Sequence, residues 1–450
     1  MEKIENVIRK FGFDLFKKRF WKEYLEISGI SDRNSLDTFV AQKRNELYLH
    51  AYNHTKYYRK IFDQIGLIKN NTVDISRIPE IPLLTKEIIR AHHQDLIADD
   101  YQTRKWFYRS SGGSTAEPIR IMKDDIYRKW GSAVNYCYFK NMLDIEEPIE
   151  KKVVLWGAGR DIFTGSVGYY AAVRNWFFNR IFLNSLRMTE QDFENYIHTI
   201  NTFKPEIVRG YAGSLFELCR YAKRKKIPLH HPKIVVSQAE NLTDTMRNVI
   251  ESNFGAKVYN VYGSREISNL AGECKDGLLH IFQFCNILEV LDKDNKPVQE
   301  GERGRIVLTS LFNYSMPLIR YEIGDMATLG PERCSCGHAL PTLKKLEGRI
   351  TEQFVLKDGT NVHTGFFGLL FDEPFEEAGI EQWQVIQEDF DKIRINIVAT
   401  RDIPDQFKHE IDKKIRVGMG SQCTITWNTV DTIPKTPSGK YQYTKSLIPR

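Results

Sequence analysis

The chain has few cysteines for its length and no long apolar run. Seven cysteines in 450 residues are too few for a disulfide-stabilised scaffold. No stretch reaches the roughly 20 apolar residues of a membrane-spanning helix. The charged opening, Met1–Lys10, lacks the apolar core of a secretory signal. We therefore expect a cytoplasmic protein with reduced thiols and no membrane segment.

A strong charge of one sign is missing as well. Lys and Arg number 64 against 58 Asp and Glu, which gives a formal net charge of +6 over the whole chain. This excess suits an anionic small substrate as well as nucleic acid. The basic run Lys223-Arg224-Lys225-Lys226 is more typical of a solvated helix end than of a nucleic-acid surface, so we expect no nucleic-acid partner.

What is present is the composition of a soluble globular protein, with 42% apolar and 27% charged residues. Residues 1 to about 100 are predicted to be helical. Leu36, Val40, Leu47 and Ala51 share one helix face, and Thr85 is placed to cap the start of a later helix.

Further along, short apolar runs alternate with helical patterns, which indicates an α/β fold with layered mixed sheets. The predicted strands are Val153–Trp156, Ile234–Ser237, Val258–Val261 and Arg305–Thr309, and the predicted helices are Glu190–Thr202 and Gly213–Arg224. After Arg349 the pattern predicts a small α+β domain. Its predicted elements are strands Lys392–Ala399 and Gln422–Val430 and helix Pro404–Val417. We therefore divide the chain into domains 1–350 and 351–450.

One polar segment is suited to an anion. It reads Ser110-Ser111-Gly112-Gly113-Ser114-Thr115 and combines two glycines with four hydroxyl side chains. Glycines allow backbone N–H groups to curl around an anion, and Ser and Thr add donors for phosphate oxygens. It is not the GxxxxGK[ST] phosphate loop, because no lysine follows the glycines. A polar surface turn has the same composition and stays open as an alternative.

Later segments carry side chains that suit the rest of a nucleotide. Tyr262-Gly263-Ser264-Arg265-Glu266 offers a ring for a base, an arginine for phosphate and a carboxylate for Mg²⁺. Asp325, after a strand-like run, can accept two ribose hydroxyls. Near the end, two prolines and a glycine shape the loop that carries Lys440, which can neutralise charge during acyl or phosphoryl transfer. Each segment could also be an ordinary turn or tail.

Thiols and an imidazole form a possible metal set. Its members are Cys274, His280, Cys334 and Cys336. Three sulfurs and one nitrogen suit tetrahedral structural zinc, whereas a disulfide between Cys334 and Cys336 would be strained. His338 and Cys285 are competing ligands, and unrelated buried thiols are the alternative to any metal.

By their order and spacing, these segments resemble the adenylate-forming superfamily of acyl-CoA synthetases and adenylation domains. The chain is most similar to phenylacetate-CoA ligase-like members, including the CapK-like group of capsular polysaccharide biosynthesis, and the resemblance spans nearly its whole length. The resembled ligases also carry the cysteine and histidine pattern, which strengthens the zinc interpretation. The implied fold is a large α/β domain and a small mobile α+β lid.

The resemblance implies a role for each motif. The Ser/Gly/Thr segment, Ser110 to Thr115, would hold the ATP phosphates, and Arg265 would contact phosphate as well. Gly263 and Ser264 of the second segment would also bind ATP. The other implied roles are adenine contacts for Ala239, Glu240 and Tyr262, ribose contacts for Asp325 and Arg349, Mg²⁺ binding for Glu266, acyl-adenylate formation for Lys440 and a hinge at Thr351. Two departures stand out, because Arg265 replaces a common Thr and Ile119-Arg120 follows Pro118 where a Lys is frequent.

The implied activity is that of an ATP-dependent, AMP-forming acid–thiol ligase. Its expected partners are a carboxylic acid, ATP with Mg²⁺, structural Zn²⁺ and coenzyme A, with a homodimer possible. An amine or a carrier-protein thiol stays open as the acceptor. Candidate residues of the acid pocket are Tyr136, Phe139, Trp156, Tyr211 and Ser237, whose aromatic character favours an aryl or arylacetic acid.

Two other classes of function compete with the ligase. One is a zinc-stapled binding protein whose adenylating machinery is inactive. The other is a dinucleotide-dependent oxidoreductase, which would rest on Gly157 and Gly159 after an apolar run. The third glycine of that fingerprint is missing, because Ile162 stands in its place.

Overall fold

The computed structural model describes residues 2–110, 119–147, 149–156, 169–185, 188–349, 354–358, 361–362, 367, 370, 379–435 and 442–448. Within these ranges the helices are α1 (Glu2–Lys17), α2 (Trp21–Ser28), α3 (Arg33–His54), α4 (Lys56–Ile65), α5 (Lys86–Ala91), α6 (His93–Leu96), α7 (Asp125–Cys137), α8 (Tyr169–Phe177), α9 (Glu190–Phe203), α10 (Ala212–Arg224), α11 (Asp244–Phe254) and α12 (Asp405–Met419). In the same ranges, no helix is long and apolar enough to cross a membrane.

The strands of the first half are β1 (Ile68–Lys69), β2 (Thr72–Val73), β3 (Trp106–Ser110), β4 (Arg120–Asp124), β5 (Lys152–Trp156), β6 (Arg180–Asn184), β7 (Ile207–Gly210), β8 (Ile234–Gln238) and β9 (Val258–Gly263). Those of the second half are β10 (Asn269–Glu273), β11 (Leu279–Ile281), β12 (Asn286–Leu291), β13 (Arg303–Ser310), β14 (Tyr321–Leu329), β15 (Thr342–Arg349), β16 (Phe354–Val355), β17 (Asn361–Val362), β18 (Ile380–Asp389), β19 (Lys392–Ala399), β20 (Thr424–Thr429) and β21 (Thr444–Ser446).

The predicted helical start is confirmed, with α1 to α6 interrupted by the small hairpin β1–β2. Helix α3 begins at a capping box between Asp32 and Ser35, in which each side chain bonds the other residue's backbone N–H. Its predicted apolar face is buried. Thr85 caps α5 by accepting a hydrogen bond from the Ile88 N–H, as predicted.

One eleven-stranded sheet forms the centre of the large domain, in the order β12-β13-β14-β15-β11-β10-β9-β8-β7-β5-β6. Strands β5 to β9 are parallel to their neighbours, and the strands beyond β9 pair antiparallel. This mixed α/β architecture is the predicted fold class. Because parallel strands end at the same edge, the carboxyl ends of β5, β6, β7, β8 and β9 lie along one edge of the sheet.

Arg320 attaches the helical start to the sheet. Its side chain is only 2% exposed and donates to the carbonyl oxygens of Pro79 (2.7 Å) and Ile81 (2.8 Å). Leu84 N–H donates to the Arg320 carbonyl (2.9 Å), and Glu322 N–H donates to the Leu84 carbonyl (3.0 Å). These hydrogen bonds satisfy the buried backbone of the segment before α5 and fix its position.

Beyond β15 lies a small unit, here called the lid, and residues up to Arg349 are called the body. Four lid strands pair in the order β20-β19-β18-β21, and the buried side of α12 belongs to the same core. The predicted lid elements are found close to their expected bounds, since α12 begins directly after Pro404 and β20 lies inside Gln422–Val430.

Candidate active site and metal cluster

The edge where the parallel strands end gathers several predicted residues. Trp156 ends β5 and Tyr211 follows β7, and their ring centroids lie 4.5 Å apart. Ser237, which is fully buried, pairs with Gly210 of β7 in the sheet. Three of the five acid-pocket candidates therefore lie on neighbouring strands at this edge.

The other two pocket candidates lie elsewhere in the packing. Tyr136, on α7, contacts the rings of Phe13, Phe20 and Tyr24 and donates a hydrogen bond to Glu146 (2.9 Å). These neighbours belong to the N-terminal helices and the α7 connection, so the structure does not bring Tyr136 to the strand edge. Phe139 lies in a π-helical turn after α7. Its ring is fully buried beneath the Arg209 guanidinium of β7.

Ala239 and Glu240 form the turn after β8. Ala239 has φ of +69°, in the left-handed region that residues with a Cβ seldom adopt. The Glu240 carboxylate accepts a hydrogen bond from the Gly213 N–H (2.8 Å) in the first turn of α10. A carboxylate is favoured there by the helix dipole and by the unpaired N–H groups. This contact ties the predicted adenine segment to α10.

Tyr262 and Asp325, predicted for adenine and ribose, are joined directly. The Tyr262 hydroxyl donates to Asp325 Oδ2 across 2.6 Å. Tyr262 lies on β9, whereas Asp325 lies on β14 opposite Arg349 of β15. The hydrogen bond therefore connects the last parallel strand to the antiparallel half of the sheet at one place.

The turn after β9 holds Glu266. Ser264 Oγ donates to the Ile267 carbonyl and accepts from the Ile267 N–H, both across 2.8 Å. A Cβ at Gly263 would lie 2.7 Å from the Ser268 carbonyl oxygen, so the close approach requires glycine. Glu266 is only 5% exposed, and among the described residues no hydrogen-bond or ion-pair partner contacts its carboxylate.

Lys123 is a residue of this region that the sequence reasoning missed. It is 3% exposed and lies on β4, which pairs with β3 on the other side of the 111–118 segment. Its ammonium donates to the Arg265 carbonyl (3.0 Å) and to the Tyr127 hydroxyl (3.2 Å). The hairpin that flanks the Ser/Gly/Thr segment is thus bonded to the Glu266 turn. A single lysine in an apolar strand gives no local sign of this contact.

Several predicted residues lie outside the described part of the chain. These are Ser111, Gly112, Gly113, Ser114, Thr115, Gly157, Gly159, Thr351 and Lys440, together with the side chains of Ser110 and Arg349. Their roles stay predictions from the sequence.

The proposed zinc ligands come together. The four ligand atoms of Cys274, His280, Cys334 and Cys336 all lie within 4.8 Å of one another. The Cys274 and Cys334 sulfurs are 3.7 Å apart, and the Cys336 sulfur is 3.2 Å from His280 Nε2. Tetrahedral zinc with bonds of about 2.3 Å to sulfur separates neighbouring sulfurs by about 3.8 Å. The arrangement fits that ion.

The surroundings of His280 also suit a metal ligand. Its Nδ1 lies 3.1 Å from the Leu340 carbonyl, so Nδ1 carries the proton and Nε2 faces the thiols. Burial lowers the pKa of His280 to about 4, which keeps the imidazole neutral. The competing ligands stay outside the group: the His338 ring centroid is 5.9 Å from that of His280, and the Cys285 sulfur contacts backbone carbonyls.

The cluster joins two loops of the antiparallel half-sheet. Cys274 directly follows β10, His280 lies on β11, and both cysteines of the second pair lie between β14 and β15. Strand β11 is inserted between β10 and β15. A metal bound here would staple the β10–β11 turn to the loop after the strand that carries Asp325.

Relatives by sequence cover both parts of the chain. Residues 354–447 match the family model of the CapK C-terminal domain. Protein CapK of Staphylococcus aureus is 25% identical over 96% of this chain and 94% of its own length. The phenylacetate-coenzyme A ligase of Thermus thermophilus is 26% identical over 74% of each chain.

Solved structures agree in fold. A 2-hydroxyisobutyryl-CoA ligase in its postadenylation state, with 2-HIB-AMP bound, has a TM-score of 0.71 at 16% identity over 90% of this chain and 88% of that one. The same enzyme in its thioesterification state, with 2-HIB-AMP and CoA, scores 0.59 at 17% identity over 91% and 89%. The chain is thus similar in sequence to CapK and to phenylacetate-CoA ligases, and it has the fold of an AMP-forming CoA ligase.

Proposed function

We propose that this chain is an ATP-dependent, AMP-forming acid–thiol ligase. It activates a carboxylic acid as an acyl-adenylate and transfers the acyl group to coenzyme A. The observation that carries the proposal is the 2.6 Å hydrogen bond between Tyr262, predicted to stack on adenine, and Asp325, predicted to accept the ribose hydroxyls. Relatives named as phenylacetate-CoA ligases support the choice of reaction.

The nucleoside is held by the strand ends. Tyr262 presents its ring to the base, and the turn of Ala239 and Glu240 borders it. The Tyr262 hydroxyl orients the Asp325 carboxylate, which accepts the ribose hydroxyls. Arg349 pairs with Asp325 in the sheet and is assigned the supporting contact to the ribose.

The first step joins two anions. A carboxylate oxygen of the acid attacks the α-phosphorus of ATP, the bond to the β-phosphate oxygen breaks, and pyrophosphate leaves. Lys440 neutralises the charge between the carboxylate and the α-phosphate. Glu266 would hold Mg²⁺, which when bound supplies positive charge to the phosphates. Most of the rate then comes from positioning reactants that would otherwise repel each other.

The second step replaces the adenylate. The thiol sulfur of coenzyme A attacks the acyl carbon, and the bond to the phosphate oxygen breaks so that AMP leaves. Lys440 must withdraw before this step, and rotation of the lid about Thr351 achieves that. Zinc on the Cys/His cluster would be structural, because its four protein ligands leave no open position.

The acid is expected to be aromatic. Trp156 and Tyr211 present two rings at the strand edge, next to the buried Ser237. Flat apolar surfaces of this kind favour an aryl or arylacetic acid over a short aliphatic one. An amine or a carrier-protein thiol is the alternative acceptor, since neither the strand edge nor the lid contacts distinguish it from coenzyme A.

The test is a panel of carboxylic acids assayed by ATP–pyrophosphate exchange, then repeated with coenzyme A or with amines. We expect exchange with at least one aromatic acid and thioester formation with coenzyme A, and no exchange by Asp325→Ala protein prepared in parallel. Exchange without thioester, but with an amide product, would move the acceptor to the alternative. A folded, zinc-loaded protein that exchanges pyrophosphate with no acid would instead favour the zinc-stapled binding protein.

A further inference from the structure

Helix α10 presents a charged face to the lid. Glu217, Arg220 and Arg224 are three and then four residues apart, so they lie on one side of the helix. Arg220 Nη1 donates to the Glu381 carbonyl at the start of β18 (2.9 Å). Arg224 Nη1 donates to the Glu381 carboxylate (2.9 Å), while its Nη2 donates to Glu190 of α9 (2.7 Å). Glu381 of the lid therefore accepts hydrogen bonds from α10 through both its backbone carbonyl and its carboxylate.

A second contact comes from the loop before Lys440. The Lys435 ammonium donates to the Ser185 carbonyl, just after β6, across 2.7 Å. The carboxylates of Glu240 and Glu217 both favour its charge, while burial lowers its pKa. Glu240, whose negative charge favours the Lys435 ammonium, is itself bonded to the start of α10.

Among the described residues, Tyr443 adds an apolar contact between lid and body. Tyr443 packs against the apolar core around α10 and also against the lid core, with its ring 5.0 Å from that of Trp383. The ion pair of Arg224 and Glu381 is open to water, with side chains 49% and 40% exposed. Such pairs are weak and reversible, unlike the buried core on either side.

We propose that Arg220, Arg224, Glu381 and Lys435 form a latch that holds the lid in the arrangement for adenylation. This inference rests on the proposed function. It is supported by the hydrogen bonds from Arg220 and Arg224 to Glu381 and from Lys435 to the Ser185 carbonyl. Release of the latch frees the loop that carries Lys440, five residues beyond Lys435, so that the second step can follow. Lys435 is a positioning residue, because it acts through the lid and the Glu240 turn.

The test compares both half-reactions in variants of the full chain. Lys435→Gln should slow ATP–pyrophosphate exchange about tenfold, because the charged hydrogen bond to the Ser185 carbonyl is lost. Arg224→Glu and Glu381→Arg should each slow exchange about two- to fivefold, as expected for an exposed pair. The double variant should recover most of the loss. Transfer from preformed acyl-adenylate to coenzyme A should be unchanged or faster. Lys226→Gln, on the exposed end of the same region, should behave as wild type.

The latch proposal would be wrong if the single variants slowed both half-reactions equally. It would also be wrong if the Arg224→Glu, Glu381→Arg double variant recovered no exchange activity. If the wild-type protein exchanges no pyrophosphate, the ligase proposal fails, and hydrogen–deuterium exchange tests the latch independently. Amides of α10 and of the first residues of β18 should then exchange faster in Lys435→Gln than in Lys226→Gln. Identical exchange in these two variants would show that the latch does not exist.

Discussion

The Cys/His cluster and the lid latch hold their parts of the molecule in opposite ways. The cluster gathers four ligand atoms within 4.8 Å, and three of its residues are buried. The latch uses charges, of which the Arg224–Glu381 pair is roughly half exposed. Structural zinc contributes about 10 kcal/mol or more in small domains, whereas an exposed ion pair contributes about 0–1 kcal/mol. If zinc occupies the cluster, the antiparallel half-sheet is expected to be held firmly, whereas the proposed latch is expected to release the lid easily.

Loss of the zinc set should have the largest effect. Cys274→Ser should remove bound zinc and lower the free energy of unfolding by about 3–5 kcal/mol or more, because the staple between two loops is lost. Metal analysis measures the bound zinc, and thermal unfolding measures the loss of stability. Cys219→Ala, a buried thiol away from the cluster, should keep the zinc. Less than about half an equivalent of zinc in the wild-type protein would show that the cluster is not held by metal, and the contrast with the latch would fail.

Lys440→Ala should have the second-largest effect, and this effect should be on catalysis rather than on stability. Acyl-adenylate formation should fall about 10³-fold, because the charge between carboxylate and α-phosphate is no longer neutralised. Thioester formation from preformed adenylate should persist, and the melting temperature should not change. Lys445→Ala removes an exposed charge from the same lid and is the matched control. Pyrophosphate exchange by Lys440→Ala at the wild-type rate would refute the role.

Asp325→Asn should weaken ATP binding about 10- to 100-fold, because charge-assisted hydrogen bonds to the ribose are lost. Tyr262→Phe keeps the ring and loses only the orienting hydroxyl, so its effect should be smaller, about three- to tenfold. The KM for ATP and its ratio to that of 2′- or 3′-deoxy-ATP are the readouts. If Asp325→Asn has the same KM ratios between ATP and the two deoxynucleotides as the wild-type protein, Asp325 does not bind the ribose.

The smallest expected effect is that of Glu381→Gln on the stability of the protein. Since its ion pair is solvent-exposed, the free energy of unfolding should change by less than about 1 kcal/mol. Chemical denaturation with the cluster intact measures it. A change as large as that of Cys274→Ser would mean that lid and body are fused into one unit, and the contrast between the two regions would disappear.

The sequence predicted what depends on local pattern. Strand and helix positions followed from apolar periodicity, and Tyr262 and Asp325 were found from their motifs. The expectation that Asp325 follows a strand was wrong, because Asp325 lies within β14, and Tyr262 likewise lies on β9. Contacts between distant segments were not predictable. Lys123 meets Arg265 from 142 residues away, and Lys435 meets Ser185 from 250 residues away, with no local signal at either end. Tyr136 was predicted for the acid pocket because it is aromatic, but its ring packs against α1 and α2 instead.

The buried Arg320 has a consequence for how the chain is made. It donates to carbonyls 241 and 239 residues earlier in the sequence. At about 5–20 residues per second of synthesis, the helical start waits on the order of 12–48 seconds for this partner. During that time the apolar faces of α3 and α4 have no sheet to cover them. Chaperone binding to the nascent chain is therefore expected to concentrate on these first helices until the β13–β14 hairpin has left the ribosome.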